Sequence, residues 1–269
     1  MSKSRSGPQG RVVHPFDVRY GVETSGLIPG RKLAEGHPHD KHSTAYYGVA
    51  PSLFRELCRQ WRKTKPGFPI GQYSFVDLGA GKGRALMLAS ELPFREVIGV
   101  ELSPRMAGRA RRNLKLWAET GRARCPIRIE TQDAAEFVFP ANPCLVYLFN
   151  PFAAPVIRRI LRRIEQSFAP EQADVLYVNH EFQSVLEGRR GFARLWSGTI
   201  EMEPEDAQAE KDIVHSEGEG EYTTSGNEEC SVYRWVGKDA RNKGSLGTRA
   251  TAEPVPLQSK TQVPPLLSG

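Results

Sequence analysis

The sequence has few cysteines and no long apolar run. Its four cysteines, among 269 residues, are widely spaced and include no C-x-x-C pair, which argues against a disulfide scaffold and against a cysteine-ligated zinc site. No apolar stretch approaches the ~18 residues that a membrane-spanning helix needs, and no apolar segment follows the basic N-terminus as in a secretory signal. We therefore expect a soluble cytoplasmic protein without membrane contact, with the cysteines as small core residues.

The body of the chain, residues 13–236, has no excess of basic residues, although the whole chain carries a formal charge of +6. Residues 1–12 contribute +3 and residues 237–269 contribute +3, so residues 13–236 sum to zero. Both ends are rich in Gly, Ser and Pro and poor in aromatics, which is typical of disorder. We therefore predict two disordered tails, and the charge of the body does not indicate a nucleic-acid-binding surface.

Apolar runs and amphipathic segments alternate through the middle of the chain. Five short runs have the pattern of buried strands, and three of the segments between them have helical periodicity. Two later segments, FARLWSGTIE and CSVYRWV, alternate as half-exposed strands do, and we expect a hairpin between them without a helix. Strands spaced by helices predict an α/β fold with a doubly wound, mostly parallel seven-strand sheet, an antiparallel last strand and three α/β/α layers. The five runs are QYSFVDL, EVIGVEL, PIRIET, CLVYLF and DVLYVNH.

The domain is predicted to occupy residues 51–236, and PSLFRELCRQWRK at its start reads as an extra helix that covers the sheet. Residues 13–50 form a polar, glycine-rich segment with aromatics, which we predict to be a lead-in or a cap over the site. The acidic connection, residues 201–229, contains eleven acids and one lysine. We expect it to be a mobile loop at the substrate edge of the sheet.

The turn after the first predicted strand reads Asp77-Leu78-Gly79-Ala80-Gly81-Lys82-Gly83, and parallel sheets bind ligands at such a turn. A phosphate loop requires Ser or Thr after the lysine, and a dinucleotide fingerprint requires a third glycine where this chain has Arg84. The Asp77 carboxylate would repel a pyrophosphate and attract a cation. The turn therefore favours S-adenosylmethionine, which has an ammonium and a sulfonium and no phosphate.

Two more acids follow the next two predicted strands. Glu101 ends the second strand and can accept hydrogen bonds from both ribose hydroxyls. Asp133 follows the third strand and can accept from the adenine amine, with the Ala134 amide as a donor to the ring. Each acid alone could be a helix cap, but three acids after three successive strands favour a cofactor site. The predicted cofactor-binding residues are Asp77, Gly79, Ala80, Gly81, Gly83, Glu101, Leu102, Asp133 and Ala134.

FVDLGAGKG, VIGVELSP and TQDAAEF resemble, in order and spacing, the first three motifs of the class I, seven-strand S-adenosylmethionine-dependent methyltransferases. The resemblance covers about residues 50–236, and it implies the cofactor, the antiparallel seventh strand and methyl transfer. LFNPFAAPVI resembles the corresponding segment of the non-SET histone lysine methyltransferases. It also resembles the N-P-P-[FY] motif of amino-methylating DNA and protein enzymes, but one Pro is missing, which weighs against methylation of a nucleic-acid base.

Asn150, Pro151 and Phe152 follow the fourth predicted strand and are the predicted catalytic residues. Asn150 would hold the acceptor atom by hydrogen bonds, Pro151 would keep the backbone out of helical geometry, and Phe152 would wall the site or contact the cation. Methyl transfer needs mainly alignment of donor and acceptor, so no nucleophilic triad is required. A plain strand-to-helix turn is the alternative. His180 and Glu181 end the fifth strand on the same rim, where substrate binding, proton removal and a structural role all remain open.

Two further clusters have solvent exposure as their simplest explanation. The spacing of His37, His39 and His42 matches no standard zinc pattern, so no metal site is predicted. A helix face that contains four arginines resembles a nucleic-acid stripe, but such faces are usually only solvated. The four are Arg158, Arg159, Arg162 and Arg163.

The sequence thus predicts an S-adenosylmethionine-dependent methyltransferase that acts on an unidentified nitrogen or oxygen acceptor, for example a protein lysine or a small molecule. The acidic connection favours a basic protein or a cationic or neutral small molecule, and it disfavours nucleic acid because it would repel phosphates. Two alternatives stay open. One is a non-catalytic module that binds S-adenosylmethionine, and the other, less favoured, is a nicotinamide-dependent oxidoreductase.

Overall fold

A computed structural model describes residues 12–217, 220 and 222–239. The two predicted tails, residues 1–12 and 237–269, lie almost wholly outside the described residues. The helices are α1 Pro15–Tyr20, α2 Pro51–Lys63, α3 Arg84–Ser90, α4 Pro104–Glu119, α5 Ala154–Ser167, α6 Gln183–Glu187 and α7 Pro204–Glu217. The strands are β1 Leu27–Ile28, β2 Tyr46–Tyr47, β3 Ser74–Leu78, β4 Glu96–Glu101, β5 Ile127–Thr131, β6 Cys144–Phe149, β7 Ala173–Val178, β8 Phe192–Glu201 and β9 Asn227–Trp235.

Seven strands form one sheet in the order β5-β4-β3-β6-β7-β9-β8. The pairs from β5 to β7 are all parallel, and β9 is antiparallel to both of its neighbours. The predicted mostly parallel seven-strand sheet with an antiparallel last strand is therefore confirmed. Every residue of β3 and β7 is buried, as expected for central strands that are covered on both faces.

Helices cover both faces of the sheet, which confirms the three-layer arrangement. Neighbouring residues of β3 point to opposite faces: Phe75 belongs to one core cluster and Val76 to the other. The first cluster includes α2, through residues such as Trp61, and the second includes α5, through residues such as Ile160. The sequence PSLFRELCRQWRK thus forms the expected covering helix. The helices cover the faces of the sheet, so the carboxyl edge of its parallel strands remains available for a binding site.

A helix lies in the acidic connection, so the prediction of a loop without a helix between the last two strands is wrong. α7 buries Asp206, Ala209, Glu210 and Ile213, and Asp206 Oδ2 accepts a hydrogen bond from the Ser52 amide at 2.7 Å. The apolar stripe of α7 is short and is interrupted by acids, which hid its periodicity. β8 and β9 still pair as the expected antiparallel partners.

Residues 13–50 contain α1 and a two-stranded antiparallel ribbon made by β1 and β2. Leu27 of β1 packs against Ile213 of α7, and the Phe16 ring stacks on Trp117 of α4 with centroids 5.8 Å apart. These contacts hold the segment beside the carboxyl edge of the sheet. The predicted boundary at residue 50 stays a prediction.

Three of the four free cysteines, Cys58, Cys144 and Cys230, are buried and Cys125 is half-buried. Burial raises the pKa of the Cys58 thiol to about 12, so this thiol stays protonated at neutral pH. Among the described residues, none of the helices has the length and apolarity to cross a membrane.

Candidate active site

The turn between β3 and α3 has a backbone that suits glycine. Gly79, Gly81 and Gly83 have φ values of 90°, 54° and 88°, a region that other residues rarely adopt. A Cβ on Gly81 would lie 2.3 Å from a ring carbon of Tyr46, and one on Gly79 would lie 2.7 Å from Pro151 Cβ. Side chains are therefore excluded at Gly79 and Gly81 by both the backbone conformation and the close packing of Pro151 and Tyr46.

Asp77 lies at the carboxyl end of β3 and is 4% exposed. Burial, together with the nearby Glu101 carboxylate, raises the pKa of Asp77 to about 8. Opposite Asp77 on β6 is Tyr147. A carboxyl group in such surroundings gains most from a cationic ligand, because ionisation in an apolar site is costly without a partner.

Glu101 ends β4, and its carboxylate binds the backbone of two turns. Oε2 accepts from the Gly81 amide at 2.7 Å, and Oε1 accepts from the Ser103 amide at 2.9 Å. Burial raises the pKa of Glu101, while these amide hydrogen bonds lower it. The carboxylate thus joins the glycine turn to the start of α4, where Ser103 Oγ caps the helix by accepting from the Met106 amide at 3.2 Å.

A cavity at the carboxyl edge of β3, β4 and β6 encloses about 1000 Å³, including the space at its open mouth. Eight of the nine predicted cofactor-binding residues line it. The exception is Gly83, which lies at the N-terminus of α3 and faces Ala110. Pro151 and Phe152 also line the cavity, whereas Asn150 does not. The fold therefore gathers residues from three successive strand ends, as expected for a doubly wound sheet.

Asn150 has a left-handed backbone with a φ of 38°. Its Nδ2 donates to Glu181 Oε2 at 3.2 Å, and its Oδ1 is buried without a hydrogen-bond partner among the described residues. A buried carbonyl oxygen without a donor costs about 1–3 kcal/mol. The segment Asn150-Pro151-Phe152 therefore contributes two residues to the cavity wall and, at Asn150, one buried oxygen that lacks a hydrogen-bond donor among the described residues.

Residues 75–185, which span most of these strand ends, match the model of a family described as a methyltransferase domain. The chain carries a class I methyltransferase domain. Its cofactor is S-adenosyl-L-methionine, and the protein is an S-adenosylmethionine-dependent methyltransferase. The weaker resemblance to the non-SET histone lysine methyltransferases stays a prediction. No curated protein matches the chain in sequence.

Solved structures with a similar fold include several methyltransferases. A candidate RNA methyltransferase from Pyrococcus horikoshii is 20% identical over 68% of this chain and 83% of its own, with a TM-score of 0.46. TrmN from Thermus thermophilus is 17% identical over 70% of this chain and 50% of its own, with a TM-score of 0.47. Magnesium protoporphyrin IX methyltransferase from Synechocystis PCC 6803 is 12% identical over 67% and 78%, with a TM-score of 0.43. These likenesses are too low to transfer an acceptor to this methyltransferase.

The N-terminal segment of the methyltransferase contributes cavity residues that the sequence did not identify. Tyr46 covers Gly81, and its hydroxyl donates to the Thr24 carbonyl at 2.6 Å. Thr44 Oγ1 donates to the Asn150 carbonyl at 2.5 Å, and the Thr44 amide donates to the Pro151 carbonyl at 3.3 Å. The aromatics in this polar segment were the available signal, but the positions of these residues depend on contacts with residues 22 to 106 positions away.

A buried ion pair attaches that segment to α3. Arg84 is 3% exposed and lies 3.5 Å from Asp17. The guanidinium also donates to Thr24 Oγ1 at 2.7 Å and to the Gly48 carbonyl at 3.1 Å, and Asp17 accepts from the Ser25 amide at 2.6 Å. Because both charges are paired and hydrogen-bonded, the N-terminal segment is tied to the residue that replaces the third glycine of a dinucleotide turn.

Tyr147 of β6 is the second group that sequence analysis missed. Its side chain is 1% exposed, its ring lies 5.5 Å from that of Phe54, and it lines the cavity. Within the part of the chain that the structure describes, its hydroxyl has no hydrogen-bond partner. Burial and the neighbouring Asp77 raise the pKa of Tyr147 well above its usual value. Tyr147 lies inside the apolar run CLVYLF, where its polar hydroxyl was the one local indication in the sequence that it could line a site.

His39 reaches the predicted adenine end of the cavity, where its Nδ1 lies 2.5 Å from Asp133 Oδ2. Ligand atoms of His37, His39 and Asp133 lie within 4.8 Å of one another, close enough to share a metal ion. However, Arg159 NH1 lies 3.4 Å from His39 Nε2, and this cation would repel a metal. The direct hydrogen bond between His39 and Asp133 is therefore the better explanation of the cluster.

The remaining predicted groups are distributed around the rim. His180 Nδ1 lies 3.0 Å from Ser231 Oγ, and burial lowers the pKa of His180. Arg163 pairs with Glu136 at 2.7 Å, and Arg159 contacts His39. Two of the four arginines of α5 are thus engaged with the protein itself, which leaves a narrower basic face than the sequence suggests.

Proposed function

We propose that this methyltransferase transfers a methyl group to an amine nitrogen, either of a basic protein side chain such as lysine or of a small molecule. The observation that carries the proposal is Asn150 Oδ1, which is buried without a partner among the described residues; Asn150 itself does not line the cavity but lies between Phe149 and Pro151, which do. An acceptor N–H can satisfy this oxygen.

The residues present fit the cofactor. Gly79, Ala80 and Gly81 of the turn line the cavity, and the buried Asp77 carboxyl suits the ammonium of the amino-acid end. Glu101 would hold the ribose hydroxyls, and Asp133 with Ala134 would hold adenine after His39 yields its hydrogen bond. When bound, the cofactor supplies a methyl group on a positively charged sulfur, which becomes a neutral leaving group.

The chain's own residues would align the acceptor with that methyl group. Asn150 Oδ1 would accept one N–H of a neutral amine, which leaves the nitrogen lone pair free for the new bond. Phe152, which is 9% exposed, would exclude water and face the positive charge of the sulfonium. Alignment and exclusion of water can lower a barrier by several kcal/mol, so no further catalytic group is required.

The charge of the cavity also supports an amine. Among the described residues, four acids line it, namely Asp40, Asp77, Glu101 and Asp133, of which the cofactor would engage all but Asp40. Arg84 is the one lysine or arginine among the described lining residues, and its guanidinium is paired with Asp17. The Glu210 carboxyl of α7 accepts a hydrogen bond from the lining residue Tyr47. Such a surface attracts cationic partners and repels polyanions.

A labelling experiment tests the proposal. Cell extract is incubated with the pure enzyme and tritiated S-adenosylmethionine, separated into protein, nucleic-acid and small-molecule fractions, and compared with an Asn150→Ala reaction. We expect acid- and base-stable label, as in N-methyl groups, in the protein or small-molecule fraction, and little label with the variant. Label that nuclease releases would refute the assignment to a protein side chain or a small molecule. The absence of any S-adenosylhomocysteine would support a non-catalytic binding module.

A further inference from the structure

A groove lies between α2, α3 and the loop that connects α4 to β5. It encloses about 1540 Å³, including the space open to solvent. Within the described part of the chain, no residue lines both this groove and the cavity at the carboxyl edge. Its apolar lining residues include Phe54, Cys58 and Leu88, each at most 4% exposed. A ligand in the groove would therefore not compete with the cofactor for its site.

The walls of the groove are strongly basic. Three of the lining arginines lie on α2 at intervals of four and three residues, so they share one face of the helix over about 10 Å. Two more come from the loop after α4. Against these five, the described lining contains two acids, so the groove carries a net charge of +3. The five are Arg55, Arg59, Arg62, Arg122 and Arg124.

Glu91 shows that a carboxylate fits between the arginines of the helix and those of the loop. Its Oε2 accepts from Arg55 NH2 at 3.3 Å, and its Oε1 accepts from Arg122 Nε at 2.7 Å. The Arg122 guanidinium also lies over the rings of Tyr20 and Trp117, at 5.3 and 5.8 Å from their centroids. The groove thus already binds one carboxylate of the chain itself, with a guanidinium from each side.

The other three arginines are open to a partner. Arg62 and Arg124 are exposed, and neither guanidinium makes a hydrogen bond or an ion pair within the residues that the structure describes. Arg59 is also exposed, and it pairs with its helix neighbour Glu56 at 2.6 Å, a type of surface pair that contributes little to stability. Arginine is well suited to bind carboxylates, because its planar fork can donate two parallel hydrogen bonds.

We infer that this groove docks an acidic, extended segment of a partner protein. Alternate side chains of an extended peptide point to one side and repeat about every 6.6 Å, close to the intervals of about 6 and 4.5 Å between the arginines of α2. A single nucleic-acid strand fits less well, because such strands bind where bases stack on exposed aromatic rings. The one aromatic residue of the described lining, Phe54, is 1% exposed. Because the groove lies outside the cavity, this docking does not depend on the nature of the methyl acceptor.

Fluorescence anisotropy with the full chain tests the inference. The labelled probes are a peptide of alternating Glu and Ala, an oligouridylate with the same number of negative charges, and a peptide of alternating Lys and Ala. We expect the acidic peptide to bind most tightly, and more weakly as salt is added. Arg62→Gln combined with Arg124→Gln should weaken this binding by about three- to thirtyfold, as for two solvent-exposed charge pairs.

Arg158→Gln combined with Arg162→Gln is the matched control. It removes the same charge from two exposed arginines of α5 that do not line the groove, and it should change the Kd of the acidic peptide by less than about twofold, below the effect of the groove pairs. Because all four side chains are exposed, thermal unfolding and S-adenosylhomocysteine binding should match the parent protein in both double variants.

The outcomes are distinct. Loss of acidic-peptide binding in the groove variant but not in the control supports the docking site. No binding by the parent protein, or equal loss in both double variants, would overturn it, since net charge alone would then explain the result. Tighter binding of oligouridylate that the groove variant loses would assign the groove to nucleic acid. A dimer of the parent protein that the groove variant abolishes would assign it to a second copy of the chain, and either result would refute the partner protein.

Discussion

Replacement of Glu101 by Gln changes one atom in the part of the site where cofactor and backbone compete for the same carboxylate. Both oxygens of Glu101 accept backbone hydrogen bonds, from Gly81 at 2.7 Å and from Ser103 at 2.9 Å. In the variant, one oxygen becomes an NH₂ group that faces an amide N–H. At least one charge-assisted hydrogen bond is lost, and ribose hydroxyls that act as donors lose a charged acceptor.

The expected loss of cofactor affinity follows from the loss of one charged hydrogen bond. A hydrogen bond to a charged group contributes about 1.5–3 kcal/mol, so loss of one weakens cofactor binding by roughly 10- to 150-fold. Calorimetric titration with S-adenosylmethionine and with S-adenosylhomocysteine measures this ratio. Thermal unfolding of the ligand-free variant reports separately on the loss of the turn contacts. Glu130→Gln on β5 is the control, since Glu130 contacts Arg128 and Gln132 and does not line the cavity.

One result would refute the reasoning. If Glu101→Gln unfolds at a lower temperature but binds both ligands within a factor of about two of the parent protein, well below the loss of one charged hydrogen bond, Glu101 only joins the two turns. Its role in ribose binding would then have to be abandoned, while its structural role would remain.

Three further outcomes follow from buried groups. The folded-state pKa of Asp77, about 8, lies above its usual value of 3.8. Between these pH values the folded ligand-free protein holds a proton that the unfolded chain has lost, so its stability should fall as pH rises. Asp77→Asn should reduce this pH dependence in thermal unfolding, and an unchanged dependence would contradict the assignment. Tyr147→Phe removes a buried hydroxyl without a partner among the described residues and should raise the unfolding temperature by about 2–4 °C; a decrease would show that the hydroxyl is satisfied. Arg84→Met leaves Asp17 buried and unpaired and should cost about 3–5 kcal/mol in denaturant unfolding, whereas Arg105→Met, which breaks a pair exposed to solvent, should cost at most about 1 kcal/mol; equal losses would show that the buried pair has no special role.

Much of the sheet could be predicted because its signals are local. Continuous apolar runs in the sequence predicted β3, β6 and β7. Three closely spaced glycines predicted the turn after β3, and in the structure they have positive φ. Parallel strands bring their carboxyl ends to one edge, so the order of the motifs alone implied that Asp77, Glu101 and Asp133 would meet. The sequence interpretation failed at α7, where Pro204 and two acids in the first turn were a start signal, but Gly, Ser and Glu dominated the composition of the whole connection.

By itself, the sequence determined the order of strands and helices, the glycine turn and the class of cofactor, since each depends on residues close together in the chain. Tertiary structure alone decided that Thr44 and Tyr46 line the cavity and that the Asp17–Arg84 pair supports it, because these contacts join segments 22 to 106 positions apart. It also decided that Asn150 turns its oxygen away from Glu181. Periodicity reports which face of an element is buried, whereas the partner of a buried polar atom depends on how distant segments pack together.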